Sequence, residues 1–98
     1  RLRGSALMGV TVEFFGIARE RAGRPVLEVC CGIESTRLGD VLLEVAERLP
    51  VLAGECLSGE HPQVGFLVNI NAHRFLADPD ALVHAGDHVL LMSADAGG

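Results

Sequence analysis

The sequence predicts an α+β fold: a mixed sheet of about five strands with one main helix on one face. Three observations lead there. Only residues 36–49 repeat their apolar side chains at helical spacing. The other apolar segments are short, rich in β-branched and aromatic residues, and bounded by turn residues. The chain has 98 residues, no Trp or Tyr and only four Phe, so one small domain must fill its core with aliphatic side chains.

The elements follow in order. Residues 10–15 alternate and read as a strand, with Val10, Val12 and Phe14 facing inward. Residues 16–23 are polar and alanine-rich and close on Gly23, which predicts a turn or one short helical turn. Residues 26–31 form a second strand, antiparallel to the first. Cys30 and Cys31 would then point to opposite faces and pack as small apolar groups. In 36–49, Leu38, Val41, Leu42, Val45, Ala46 and Leu49 share one face, while Arg37, Asp40, Glu44, Glu47 and Arg48 fall mostly on the other. Ser35 or Thr36 is expected to cap this helix, and Pro50 ends it.

Residues 51–65 show no period and read as the longest loop. Residues 66–70 are a third strand, Asn71-Ala72 a tight turn, and 73–77 a short strand. Asp78-Pro79-Asp80 opens a turn expected to include one 3-10 or helical turn through Leu82. Gly86-Asp87 is a turn signal, and 88–92 form the last strand. Residues 1–7 look unlike the rest and are expected to be an expression remnant, with Met8 the natural start and 8–98 the domain. Strand, strand, helix, strand, short strand, strand is the order of a β-grasp, or ubiquitin-like, roll. That roll sets the first and last strands side by side at the sheet centre.

Composition excludes several functions. The net charge is −5, and the eight basic residues are all Arg and scattered, which gives no footprint for nucleic acid. The apolar runs are too short to cross a bilayer, and no signal-peptide pattern is present. The expectation is a cytoplasmic protein with protein partners and no membrane role. The three cysteines lack a C-x-x-C spacing, so neither a disulfide framework nor a zinc site is indicated. Gly86-Asp87 separates His84 from His88, Cys56 and His61 are equally sparse, and no metal is expected.

A single helix covers only one sheet face, so strands should alternate apolar and polar. The later strands do not: residues 66–68 and 89–92 are apolar on both sides. Leu67, Leu90 and Met92 are therefore expected to be exposed together as an interaction surface. The last strand then runs into Ser93-Ala94-Asp95-Ala96-Gly97-Gly98. Glycines lack a Cβ and accept most φ/ψ values, which suits a flexible tail threaded into a narrow channel. A carboxylate at Gly98 is a poor electrophile until activated. Adenylation by ATP makes it one that sulfur or nitrogen can attack.

Four motifs carry a family resemblance: Phe15-Gly16-x-x-Arg19-Glu20-x-x-Gly23, Val68-Asn69, Gly86-Asp87-x-Val89 and Gly97-Gly98. On these, residues 9–98 resemble the MoaD/ThiS sulfur carriers, most closely the small subunit of molybdopterin synthase. The resemblance implies that a ubiquitin-activating-type adenylyltransferase, using ATP, adenylates Gly98. A sulfurtransferase persulfide then yields a thiocarboxylate. The carrier would dock through Leu67, Leu90, Met92 and Arg19 on the large synthase subunit. Ser93, Ala94, Asp95, Ala96 and Gly97 would enter that subunit's active site and deliver sulfur to a pterin precursor. No permanently bound cofactor and no catalytic site of its own are implied.

Two departures bear on the acceptor. Carriers of this branch often have prolines and a hydrophobic residue before Gly-Gly, where this chain has Ser93-Ala94-Asp95-Ala96, and the loop 51–65 is long. The thiamin, cysteine, tRNA-thiolation and tungstopterin pathways stay open as acceptors. So do a ubiquitin-like protein modifier and a plain interaction module.

Overall fold

Short alternating strands and one amphipathic helix assemble as their patterns demand. The computed structural model describes residues 9–30, 35–76 and 78–97. The expected remnant 1–7, Met8, Cys31, the last residue of the expected strand 73–77 and Gly98 lie outside the described residues. Among the described residues the strands are β1 (Gly9–Phe15), β2 (Val26–Cys30), β3 (Ser35–Arg37), β4 (Leu57–Ser58), β5 (His61–Pro62), β6 (Phe66–Ile70), β7 (Arg74–Phe75), β8 (Leu82–His84) and β9 (His88–Ser93). The helices are α1 (Ile17–Ala22) and α2 (Leu38–Arg48), with 3-10 turns at Pro50–Leu52 and Ala94–Gly97.

The main sheet runs β2-β1-β9-β6-β7. β1 and β9 lie parallel at its centre, and the other pairs are antiparallel. This is the β-grasp arrangement expected from the element order. Val10, Val12 and Phe14 face inward as expected and meet Val89 and Leu91 of β9, Val68 and Ile70 of β6, and Leu38, Val41, Leu42 and Val45 of α2. Each fully buried Val, Leu or Phe contributes roughly 1.5–3 kcal/mol relative to exposure.

Three expectations are corrected. The start of α2 is not capped by Ser35 or Thr36. Both lie in β3, which pairs antiparallel with β8, and the helix begins at Leu38 with no side-chain cap. Its first free N–H groups find backbone acceptors instead: Leu38 donates to the Ala81 carbonyl and Gly39 to the Pro79 carbonyl, both at 2.8 Å. The turn expected to coil through Leu82 therefore gives way to β8. Arg37, at the junction, binds Asp80 (2.8 Å), Asp40 (2.9 Å) and Glu60 (3.0 Å), which holds the Glu60 carboxyl below its usual range.

The stretch 51–65 is structured rather than an open loop. A 3-10 turn and the β4–β5 hairpin carry Leu52, Cys56 and Leu57 into the core. Leu52 and Leu57 sit on elements of two or three residues and Cys56 in the turn between them, all too short to show a period. The 16–23 segment takes the helical form of its two expected alternatives, a six-residue helix closed by Gly23 in the left-handed conformation. Asn71 and Ala72 both have positive φ (57° and 61°), matching the expected tight turn between β6 and β7.

Candidate functional site: the outer sheet face and the tail root

Side chains alternate across the sheet, so the residues between the core positions share the opposite face. Register brings the expected docking residues together there. Leu67 of β6 lies opposite Met92 of β9, and Met92 opposite Phe15 of β1. Leu90 lies between Glu13 and Asn69, and Asn69 faces Phe75 of the edge strand. Leu67 is 37% exposed and Phe75 61%, whereas Phe15, Leu90 and Met92 are half-buried. Five apolar side chains thus form one stripe across β1, β9, β6 and β7. A groove of about 190 Å3, lined by Pro62, Phe66, Leu67, Val68, Phe75 and Leu76, runs along its edge.

Asn69 is the polar break in that stripe. It is 7% exposed, and its Oδ1 is buried with no hydrogen-bond partner among the described residues. Such an orphaned acceptor is uncommon and costly. Toward the start of β9, His88 Nδ1 lies 3.2 Å from Glu13, and Thr11 donates its hydroxyl proton to Glu28 at 2.8 Å.

Two turns close this end of the sheet. Asp87 accepts the His84 N–H at 2.9 Å and the Asn71 Nδ2 proton at 3.2 Å, while Asn71 Oδ1 accepts the His88 N–H at 2.8 Å. Burial pushes the Asp87 carboxyl up, but these donors and the nearby His84 and Arg74 outweigh it and hold the group below its usual range.

The tail leaves from the opposite end. Ser93 is the last residue of β9, and its inward parity with Val89 and Leu91 buries it to 2% exposure. It was expected in the tail that enters a partner's active site. It instead accepts the Ile17 N–H at 3.3 Å. Ala94 donates its N–H to the Gly65 carbonyl at 2.8 Å. Ala94 and Asp95 are exposed, and the backbone of Ala94–Gly97 makes a 3-10 turn. Gly16, which turns β1 into α1 beside this root, has φ 63° and ψ −133°, a conformation that a side chain would strain. Arg19 sits exposed on α1, and Arg21 pairs with Glu55 at 3.0 Å.

The described side chains offer little chemistry of their own. Among the described residues, no three His, Cys, Asp or Glu are placed to hold a metal. Cys56 is buried, and burial together with Glu55 raises its thiol pKa, so its nucleophilic thiolate is disfavoured. Among the described residues, no helix is long and apolar enough to cross a membrane. The place of Phe15 on the outer face, that of Phe75 beside it and the burial of the Ser93 hydroxyl were not read from the sequence. Parity along β1 places Phe15 outward and parity along β9 places Ser93 inward, while Phe75 requires the register of the 71–72 turn.

No protein-family model matches the chain, and no curated protein matches it. Solved structures do. The Haloferax volcanii HVO 2177 protein is similar over 100% of this chain and 93% of its own, at 24% identity and a TM-score of 0.73. The small archaeal modifier protein 1 of Haloferax volcanii aligns over 92% of this chain and 99% of its own, at 20% identity and 0.75. That of Methanosarcina acetivorans aligns over 94% and 98%, at 22% identity and 0.66. At these identities the likeness establishes the fold, and the fold of this chain is the ubiquitin-like β-grasp.

Proposed function

We propose that the chain is a sulfur carrier that works from its C-terminal glycine in molybdopterin biosynthesis. The observation that carries this reading is the geometry of β9. The strand is fixed at the sheet centre, presents Leu90 and Met92 on an apolar outer face, and passes directly into the segment ending Gly97-Gly98. A rigid platform, a docking face and a side-chain-free tip are what a carrier needs when other enzymes do the chemistry.

In this reading the Gly98 carboxylate attacks the α-phosphate of ATP on a ubiquitin-activating-type adenylyltransferase and releases pyrophosphate. A sulfurtransferase persulfide displaces AMP, and a thiol reductant frees the thiocarboxylate. The charged carrier docks through Leu67, Leu90, Met92 and Arg19 on the large subunit of molybdopterin synthase and inserts residues 95–98, while Ser93 and Ala94 stay at the root. Acid–base groups come from that partner. Asp95 puts a carboxylate in the inserted segment, so the acceptor's channel must supply a cation or water beside it.

A second reading has its own support. Two of the solved relatives above are called modifier proteins, and a modifier shares the adenylation step but transfers its glycine to a lysine nitrogen. Deleting Gly98 tests the requirement common to both, scored by molybdenum-cofactor synthesis in cells that depend on this chain. Loss of synthesis is expected. Survival of synthesis overturns the carrier reading.

A further inference from the structure

The first N–H groups of a helix need acceptors, and the residue before the helix usually offers a side chain. At α1 that residue is Gly16, whose φ of 63° and ψ of −133° admit little but glycine and which has no side chain to offer. The acceptor comes from another element: Ser93 Oγ, at the end of β9, takes the Ile17 N–H. One residue later the Ala94 N–H reaches the Gly65 carbonyl across the root, and Gly65 itself turns with a φ of 91°. Residues 93 and 94 are thus held from two sides, by α1 and by the 63–65 turn. Beside them lies a pocket of about 210 Å3 lined by Gly16, Ile17, Glu20, Ser93 and Asp95.

We propose that Ser93 is a positioning residue: its hydroxyl and the Ala94 N–H form a two-point clamp that sets the direction in which the tail leaves the sheet. The proposal rests on the carrier reading, because its consequence is how readily Gly98 reaches a reacting phosphate. Once the Ala94–Gly97 turn opens into extended chain, the four residues beyond Ala94 reach about 14 Å. A root free to swing by about 20° would move the tip by about 5 Å over that length. Misplacement of about 1 Å can cost about a hundredfold in rate. The clamp acts before any partner binds, so it should affect turnover and leave docking on the outer face alone.

The test uses the full chain as wild type, Ser93→Ala, Ser93→Thr and Ala94→Pro. Amide hydrogen exchange by NMR reads the clamp directly. In Ser93→Ala the Ile17 amide should exchange about 5-fold faster, the factor for one lost hydrogen bond, while Val12 and Leu91 keep wild-type rates. Pyrophosphate exchange with the adenylyltransferase that charges the wild type reads the consequence. We expect kcat to fall at least about 5-fold with KM within about twofold, Ser93→Thr to restore it, and Ala94→Pro to reproduce the loss.

Unchanged kcat in Ser93→Ala overturns the proposal, as does faster exchange spread evenly over all amides. So does a rise in KM at constant kcat, which would make Ser93 part of the docking surface. If Ser93→Thr fails to fold, Ala94→Pro alone decides. A wild-type chain that is never adenylated refutes the carrier reading instead, and the exchange measurement still decides whether the clamp exists.

Discussion

Replacing Gly16 with alanine strains the turn that brings α1 against the tail root. At φ 63° and ψ −133° the backbone lies near the region open essentially to glycine alone, where a side chain costs roughly 1–3 kcal/mol. In a domain of about 100 residues each kcal/mol moves the thermal midpoint by about 4–8 °C, so a central cost of about 2 kcal/mol lowers it by about 10 °C. Gly23→Ala is the control. Gly23, at φ 73° and ψ 14°, lies in the left-handed helical region, where a side chain costs about 1–2 kcal/mol. Thermal unfolding followed by far-ultraviolet circular dichroism measures both variants. A Gly16→Ala midpoint within about 2 °C of wild type would refute the assigned turn and the geometry that leaves Ile17 to Ser93.

Further outcomes follow from other parts of the fold. Ala72 is a non-glycine residue at φ 61°, so Ala72→Gly should relieve left-handed strain and raise stability by about 1 kcal/mol; an unchanged or lower midpoint counts against the turn. Leu67→Glu and Phe75→Asp change exposed positions on the outer face. Stability should move by no more than about 0.5 kcal/mol while affinity for the large subunit of molybdopterin synthase drops roughly tenfold, and unchanged affinity would remove that face from docking. Asp87 has a depressed carboxyl pKa in the folded chain. Its stabilisation is full above the unfolded value of about 3.9 and is lost as pH falls through the folded one. The midpoint gap between wild type and Asp87→Asn should therefore close below about pH 4, and a gap constant from pH 6 to 2.5 would contradict the assignment.

Much of this architecture was legible because long elements carry a period. The Val10-Val12-Phe14 alternation and the Leu38-Val41-Leu42-Val45 spacing identified β1 and α2, and the turn residues around them left a β-grasp as the consistent order. The errors fall where tertiary contacts outweigh local preference. Ser35 and Thr36 are good capping residues, yet they pair with Val83 and His84 in β8, and carbonyls from the 79–81 turn cap the helix in their place. Leu52, Cys56 and Leu57 bury a segment that reads as loop, since elements of two or three residues cannot display a repeat.

At the site, parity along β6 and β9 was enough to put Leu67, Leu90 and Met92 on one face. The same parity places Ser93 with Val89 and Leu91, facing inward, but the residue reads first as the start of a tail. Its role depends on α1 beginning beside β9, a contact between residues 76 positions apart that no local pattern contains.

The central claim is that Gly98 carries sulfur. The direct measurement is the mass of the C-terminal peptide after the chain is incubated with its activating enzyme, ATP and a persulfide donor. The account predicts a gain equal to one oxygen replaced by sulfur, confined to the peptide ending in Gly98 and absent without ATP. An unchanged C-terminal mass while the enzyme consumes ATP, with Gly-Gly remnants appearing on lysines of other proteins, would contradict it and make the chain a modifier.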